Sequence, residues 1–376
     1  MISILKEIKS IRKSDSIDID YSNSDRYRVV VKEEDGTKTA YYFSTPIYND
    51  KTKKIVDFKF SEDGKLACAS GSNTQIRIFD SIYLENGEGK CVIKTGKKLT
   101  GISENELRLG KDRARCTTNG IAYFANVSEN GSVSFEIETS KSFGEVRANN
   151  KSISLMSKKF RPFCTVSAIG TLDRNGSVSA PAILSYQKIS GNKYAINITA
   201  DASIGTKVLF EINLYEAKLV QDTTVESKSP KSNNAFGGTA FIGNTTQHGE
   251  VWLYWKLDYM HLSEISDRKI NRAILHLPKL DDGGEILSAY HVSKRFCSFG
   301  SNWNNKISET THIADTEICD KYQNLNISAF LRETGRGYLL RSDGLIIRSR
   351  DKKAGFSAIA TGDSYYAPEI LEINFS

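Results

Sequence analysis

The sequence predicts an all-β protein made of antiparallel β-sandwich domains, with a short helical segment at its N-terminus. Two observations support this fold class. Short runs of β-branched and aromatic residues alternate with polar residues at period two, and Asp-Gly or Asn-Gly pairs recur between the runs. The 376-residue chain also has only six prolines and few long helical patterns. Short strands separated by tight turns favour sandwiches or barrels over a fold that alternates strands with helices.

The first 15 residues form a short amphipathic segment, MISILKEIKSIRKSD. Apolar residues recur at helical spacing, with Lys and Glu between them, at Ile2, Leu5, Ile8 and Ile11. The segment lacks the apolar centre of a signal peptide, and no later run approaches the ~20 apolar residues of a membrane span. Because short isolated helices are marginal in water, we expect residues 1–15 to dock against another surface, such as a neighbouring subunit. We expect no membrane insertion.

Residues 16–218 are predicted to form a β-rich domain, as one sandwich or as two smaller ones. Its turn signals predict hairpins in residues 26–43, 120–139 and 163–200. In the second of these segments the expected turn is Asn130-Gly131.

A polar stretch, QDTTVESKSPKSNNAFGGTA (221–240), separates this domain from a second β-rich region. We therefore place the second domain at residues 219–376. Its strand-like runs number about eight, which fits a two-sheet jelly roll. The segment NISAFLRETGRG (326–337) is the best helix candidate in this half.

Charge and cysteine content exclude several classes of protein. Lys and Arg number 51 against 45 Asp and Glu, and no basic block has the density of a nucleic-acid-binding site. The six cysteines lie far apart, without the C-x-x-C spacing of a zinc ribbon. We expect buried free thiols in strands, although an even number of cysteines also permits disulfides.

No pattern of residues nominates a catalytic site. The five histidines form no H-x-x-x-H or H-E-x-x-H pair, and neither a phosphate-binding glycine loop nor a G-x-S-x-G turn occurs. Carboxylates are plentiful, but a glycosidase needs two of them brought ~5–10 Å apart by the fold, and no pair stands out. We therefore predict a protein that is not an enzyme and needs no cofactor.

Aromatic residues give the strongest indication of a binding role. In the segment EVWLYWKLDYMHL, Trp252 and Tyr254 share one face of a strand, and Trp255 and Leu257 share the other. One face belongs to a core. The other presents aromatic rings to a sugar, or it is covered by a second packed layer. Trp303 lies within a polar run, where it is either an anchor packed onto the core or a platform for a ligand.

Three segments of the second domain carry a family resemblance. QDTTVESKSPKSNNAFGG (221–238) is similar to an opening strand followed by an asparagine-rich loop. SNWNNKIS (301–308) resembles a Thr-Trp-Asn-Asn-x-Pro motif, with Asn302 in place of Thr and no Pro. The end of the chain (344–375) resembles a closing strand pair. Together, over ~155 residues, they resemble the DNRLRE-type jelly-roll family of bacterial surface proteins, which is related to carbohydrate-binding modules.

The resemblance implies a structural role first and a sugar-binding role second. Trp303 would anchor a long loop on the sandwich, and its Asn neighbours would hold that loop through side-chain-to-backbone hydrogen bonds. Trp252, Tyr254 and Trp303 are the candidate ligand-binding residues. Jelly rolls of this broad type often carry a structural Ca²⁺, and Asp222 is the candidate ligand for it.

We therefore expect a non-catalytic structural and binding protein of an extracellular particle. A bacteriophage virion or a phage-tail-like particle needs no signal peptide, which favours a fibre, a baseplate part or a capsid decoration. Its partners would be other structural proteins of the particle, further copies of itself and surface glycans, without nucleic acid. An exported cell-surface carbohydrate-binding or adhesion protein is the alternative, and a glycan-active enzyme is the second alternative.

Overall fold

A computed structural model gives the structure of the chain, and it is almost entirely antiparallel β. It describes all residues except 1–3, 50–53, 56–57, 61–66, 70–73, 104–105, 129, 141–144, 158–160, 202–206, 216–217, 258–267, 293, 309, 334–343 and 352–354. The predicted fold class is confirmed: the described residues form several antiparallel sheets arranged as β-sandwiches, with a short helix at the N-terminus.

The helices are α1 (Ile4–Arg12) and α2 (Ser328–Glu333), and a 3-10 helix spans Trp303–Asn305. In chain order the strands are β1 (Asp18–Ile19), β2 (Arg28–Lys32), β3 (Lys38–Phe43), β4 (Tyr48–Asn49), β5 (Lys54–Ile55), β6 (Phe58–Phe60), β7 (Ala67–Ala69), β8 (Gln75–Ile78), β9 (Ile82–Asn86), β10 (Gly89–Lys94), β11 (Leu99–Ser103), β12 (Glu106–Leu109), β13 (Asp112–Cys116), β14 (Gly120–Asn126), β15 (Ser132–Thr139), β16 (Glu145–Ala148), β17 (Ser152–Met156), β18 (Pro162–Leu172), β19 (Val178–Ala180), β20 (Ile183–Ser190), β21 (Lys193–Thr199), β22 (Lys207–Leu214), β23 (Val220–Glu226), β24 (Thr239–Thr245), β25 (Gly249–Leu257), β26 (Ile270–Pro278), β27 (Leu287–Val292), β28 (Thr310–Ile318), β29 (Tyr322–Asn326), β30 (Leu345–Ser349), β31 (Gly355–Ala360) and β32 (Ile370–Phe375).

The first sandwich is formed by two sheets that share one apolar core. Among the described residues, one sheet has the order β20-β21-β15-β10-β9-β8-β7-β6, and the other has the order β11-β12-β13-β14-β22-β18-β17-β16 with β19 beside β18. Leu84 and Ile93 from the first sheet pack against Tyr123 and Phe210 from the second. Alternate residues of each strand point into this core, as the period-two pattern requires.

The second sandwich is formed by the two ends of one long sheet. Its described strands follow the order β1-β2-β3-β32-β26-β29-β28-β27-β30-β25-β24-β31, with β23 paired to β25. Strand β28 pairs with β27 on one side and with β29 on the other, so the two layers are joined along this edge. Leu253 and Trp255 from one layer meet Leu275 and Leu371 from the other in a shared core.

The two sandwiches pack directly against each other. Ile169 and Leu209 on the outer face of the nine-stranded sheet contact Phe241 and Ala358 of the second sandwich. The centre of the nine-stranded sheet is therefore buried on both faces. The chain itself passes from the first sandwich to the second between Leu214 and Val220.

Two predicted hairpins are confirmed and one is wrong. Strands β2 and β3 pair around Gly36, which adopts a φ of 83° that favours glycine, and β20 pairs with β21. In the segment 120–139, however, β14 pairs with β13 and β22, whereas β15 pairs with β10 and β21. The turn therefore carries the chain from one sheet to the other. Strand β15 alternates buried apolar residues with more exposed polar ones, whereas β14 is buried along most of its length. Tyr123 of β14 and Phe135 of β15 meet in the core between the two sheets.

The N-terminal segment differs from the predicted docking segment. Helix α1 is present as expected, but Ile4 and Ile8 are fully buried within the chain, against Val31, Phe43 and Tyr322. Helix α1 therefore docks on its own chain rather than on the neighbouring subunit that we had expected. Ile2 lies outside the described residues.

Residues 18–43 also belong to the second sandwich, although we had placed them with the first domain. The cause is the pairing of β3 with β32, which extends from Lys38↔Phe375 to Phe43↔Ile370. Strands so distant in the sequence leave no local signal of their pairing. Helix α2 (Ser328–Glu333) lies within the segment where the sequence predicted a helix. Among the described residues, no helix is long and apolar enough to span a membrane.

Candidate binding surface

Strand β25 places its aromatic residues on two different surfaces. Leu253 and Trp255 point into the core of the second sandwich, whereas Trp252 and Tyr254 lie on the opposite face. That opposite face is also buried, because residues that include Phe296 and Trp303 pack over it. The alternative that both faces of this strand are covered is therefore confirmed.

The loop that carries Trp303 is fixed by its asparagine side chains, as the resemblance implied. The Asn302 side chain accepts hydrogen bonds from the backbone N–H groups of Asn304 and Asn305, at 3.0 and 3.3 Å. In return, the Asn305 side chain accepts from the Asn302 N–H at 2.8 Å and donates to the Gly300 carbonyl at 3.0 Å. These bonds cap the 3-10 helix at Trp303–Asn305. The prediction for this loop is confirmed.

Trp303 is half-buried and packs edge-on against Trp252. The two ring centres lie 5.4 Å apart at an angle of 61°. The ammonium group of Lys306 lies 4.4 Å above the Trp303 ring, within the range of a cation–π contact. Trp303 is thus partly an anchor and partly an accessible surface. Phe296 joins the same cluster, whereas Phe299 is exposed and contacts Phe236.

Tyr254 does not fit the ligand-binding prediction. Its side chain is 1% exposed, and its hydroxyl accepts a hydrogen bond from the Ile307 N–H at 2.8 Å. The ring packs against Phe296 at 5.3 Å. Tyr254 therefore helps to hold the loop that carries Trp303 against β25. Trp252 is buried as well, at 7% exposed, whereas Trp303 is half-buried. Ligand binding stays a prediction for these two tryptophans.

Arg348 and Tyr290, which like Lys306 were not indicated by the sequence, complete the surface. Arg348 on β30 lies with its guanidinium carbon 5.1 Å from the Trp252 ring centre and 4.0 Å from that of Tyr290 on β27. The register brings them together, because Leu253 is opposite Ile347 and Ser288 is opposite Arg348. No local signal could have revealed this, since the three strands are far apart in the sequence.

We call Trp252, Tyr290, Trp303, Lys306 and Arg348 the aromatic–cation surface. It combines three aromatic rings with two cations, and the Trp252 indole N–H donates to Glu250 at 2.8 Å. The ring faces described above are occupied by cations. A ligand would therefore meet ring edges together with guanidinium and ammonium donors, which suit sugar hydroxyl or carboxylate oxygens.

Asp222, the candidate calcium ligand, is buried beside other polar groups. Its carboxylate accepts a hydrogen bond from the Gly362 N–H at 2.7 Å. Burial and the neighbouring carboxylate of Asp363 raise the pKa of Asp222. The described residues contain no group of three or more His, Cys, Asp or Glu side chains arranged to hold a metal ion. The calcium site stays a prediction, which a fall in melting temperature on addition of a chelator would support.

A buried ion pair connects the two sandwiches. Lys151, which precedes β17 in the first sandwich, forms a salt bridge with Glu226 at the end of β23 in the second. Glu226 also contacts His248 Nδ1 at 2.9 Å, and all three side chains are at most 3% exposed. Burial opposes ionisation of Glu226, but Lys151 and His248 outweigh it and lower its pKa to about 2.

A second buried carboxylate, Glu211 of the first sandwich, also connects the two sandwiches. Glu211 on β22 accepts hydrogen bonds from the Ser364 hydroxyl at 2.6 Å, the N–H groups of Tyr365 and Tyr366 at 2.9 and 3.2 Å, and the Asn213 side chain at 2.8 Å. Burial raises the pKa of Glu211, although these donors counteract the shift.

The search for relatives gives no family. No family model matches the chain, and no curated protein is similar to it.

Proposed function

We propose that the protein is a non-catalytic structural and binding component of an extracellular particle, such as a bacteriophage virion or a phage-tail-like particle. The observation that carries the binding role is the aromatic–cation surface on the second sandwich. Its half-buried Trp303 and its two cations offer a sugar both apolar contact and charged hydrogen-bond donors. The DNRLRE-type resemblance of this sandwich is part of the proposal.

The packing of the two sandwiches supports the structural role. Apolar residues, the Lys151–Glu226 pair and the Glu211 hydrogen bonds all cross between them. Such a joint favours a stiff unit in which the surface keeps a fixed orientation. The proposed partners are other structural proteins of the particle, further copies of this chain and surface glycans.

A binding experiment tests the sugar-binding role. The purified chain is applied to a glycan array, and each positive sugar is then titrated by calorimetry against the wild type and Arg348→Gln. Arg350→Gln is the matched control, because Arg350 is exposed and lies outside the aromatic–cation surface. We expect Arg348→Gln to weaken binding and Arg350→Gln to leave it unchanged. Equal affinities in all three proteins would reject this surface, and release of reducing sugar would favour an enzyme.

Trp303→Ala separates the anchoring role from the binding role. We expect a loss of about 3 kcal/mol of unfolding free energy, at the lower end of the range for a large aromatic residue, because the ring is only half-buried. Chemical unfolding of the sugar-free protein measures this loss. A change within error would show that Trp303 does not anchor the loop.

Location is tested on the natural source. Antibody labelling in electron microscopy and quantitative mass spectrometry of released particles should find many copies per particle. Label on the cell surface instead would favour the alternative of an exported adhesion or carbohydrate-binding protein.

A further inference from the structure

Two cysteines face each other across the core of the first sandwich. Cys91 lies on β10 and Cys164 on β18, so they belong to opposite sheets. Both side chains are fully buried, and their sulfur atoms are 3.7 Å apart. Three other cysteines, Cys116, Cys297 and Cys319, are at least partly exposed.

The surrounding strands hold this pair in place. Cys91 pairs with Thr139 on one side and with Leu84 on the other, and Cys164 pairs with Leu155 and Leu214. Each cysteine therefore lies inside its sheet rather than at an edge. A disulfide requires a sulfur–sulfur bond of ~2.05 Å. The sulfur atoms would therefore have to approach each other, by rotation about the two Cα–Cβ bonds and a small movement of the opposed sheets.

We propose that Cys91 and Cys164 form a disulfide between the two sheets when the chain folds in the presence of a small disulfide oxidant such as oxidised glutathione. A thiolate of one cysteine attacks the oxidant, forms a mixed disulfide and releases one glutathione thiol. The second cysteine then attacks the mixed disulfide and releases the second glutathione thiol. In total, two cysteine S–H bonds and the S–S bond of oxidised glutathione are broken, and one protein S–S bond and two glutathione S–H bonds form. The two electrons and two protons of the cysteines thus pass to glutathione.

The order of folding and oxidation decides the outcome. Once the core has closed, both thiols are inaccessible to the oxidant. The thiol of Cys164 and burial also raise the pKa of Cys91, which suppresses the reactive thiolate. Oxidation should therefore be fast during folding and slow in the folded dithiol protein. A protein that folds in a reducing cytoplasm keeps the dithiol, whereas one that folds after export acquires the bond.

The test refolds denatured chain in oxidised or in reduced glutathione and maps the tryptic peptides without reduction. Cleavage after Lys and Arg gives one peptide of residues 91–94 and another of residues 160–174, since the bond before Pro162 resists trypsin. The background carries Cys297→Ser, because Cys297 is exposed and would link separate chains. Folded dithiol protein receives the same oxidant as a parallel sample.

We expect the two peptides to be linked after oxidative refolding but not in the folded sample. The linked protein should melt higher by about 5 °C or more, because the bond closes a long loop of chain. Cys91→Ala should abolish the gain, and the matched control Cys116→Ala should keep it. Absence of the linked pair from the refolded Cys297→Ser background protein, linkage of other cysteines instead, or a lower melting temperature would each overturn the proposal. The peptide map of the Cys297→Ser background protein does not require Cys91→Ala or Cys116→Ala to fold, and it does not depend on the proposed function.

Discussion

Glu226 and Glu211 are both fully buried where the two sandwiches meet, yet the protein stabilises them in different ways. Glu226 belongs to the second sandwich and meets the ammonium of Lys151 from the first. Glu211 belongs to the first sandwich and meets uncharged donors, most of them from residues 364–366 of the second. The pKa of Glu226 is lowered to about 2, whereas that of Glu211 is raised.

The difference shows that hydrogen bonds and an opposite charge are not equivalent for a buried carboxylate. Four neutral donors satisfy the oxygen atoms of Glu211, but they do not fully compensate for the water lost around its charge. A nearby cation does so for Glu226, at the cost of burying a second charge. The Glu226 contact should therefore be the more sensitive to removal of a single partner.

The largest expected effect follows from removal of Lys151. Lys151→Met leaves Glu226 buried without its main cation, which should cost about 3–5 kcal/mol of unfolding free energy. The double variant Lys151→Met/Glu226→Gln should recover much of this loss, because no unpaired charge remains. Urea unfolding at neutral pH measures both.

Lys90→Met is the matched control for the lysine variant. Lys90 pairs with Glu85 at the surface, with its side chain 60% exposed, so the change should cost at most about 1 kcal/mol. A loss for Lys151→Met no larger than that of this control would show that the buried pair does not hold the junction.

The second-largest expected effect is the weakening of the Glu226 contact by acid. The folded pKa is below the value of about 4.5 for the unfolded chain. The stabilisation is therefore complete above that unfolded value and is lost as the pH falls towards about 2. The expected loss is roughly 3 kcal/mol. Urea unfolding in mildly and in strongly acidic buffer measures the loss of unfolding free energy on acidification. We expect this loss to be smaller in Lys151→Met/Glu226→Gln than in the wild type. Equal losses in the two proteins would argue that Glu226 is not the source of the acid sensitivity.

Removal of the Glu211 charge should have the smallest of the three effects. Glu211→Gln turns an amide N–H₂ group towards N–H donors and so loses hydrogen bonds, at a cost of about 1–3 kcal/mol. No uncompensated charge is left behind. Glu136→Gln is the control, because Glu136 is exposed on β15. Its unfolding free energy should stay within about 0.5 kcal/mol of the wild-type value.

The pH dependence at Glu211 should run opposite to that at Glu226. Because the folded pKa of Glu211 is raised, its contribution is complete below the unfolded value and is lost as the pH rises through the folded one. The glutamine variant should reduce this decline. The comparison between the two carboxylates would be contradicted if Glu211→Gln lost more unfolding free energy at neutral pH than Lys151→Met does.

Local sequence patterns predicted much of the fold. The period-two alternation of residues predicted strands such as β25, and the helical spacing of Ile8 and Ile11 predicted α1. Gly36 predicted the turn between β2 and β3. Asn302 and its neighbours predicted a loop held by side chains, which the structure confirms. Each of these signals lies within a few residues, where propensity, turn chemistry and period act directly on the backbone.

The aromatic–cation surface was predictable only in part. Trp252 and Trp303 stood out as large aromatic residues in unusual positions, but Trp252 and Tyr254 lie on the same face and both are buried under the loop. Arg348 and Tyr290 joined the surface through strand register, a property of strands that meet from distant parts of the chain.

By itself, the sequence determined which segments become strands, which faces of those strands are apolar and where tight turns fall, because these depend on neighbours within a turn or a strand. The tertiary structure decided which strands pair. It placed β14 and β15 in different sheets and joined β3 to β32. It also decided which carboxylate meets a cation and which cysteine faces another. The physical reason is that pairing and burial depend on the fit of many distant side chains at once, and no single stretch of sequence contains that information.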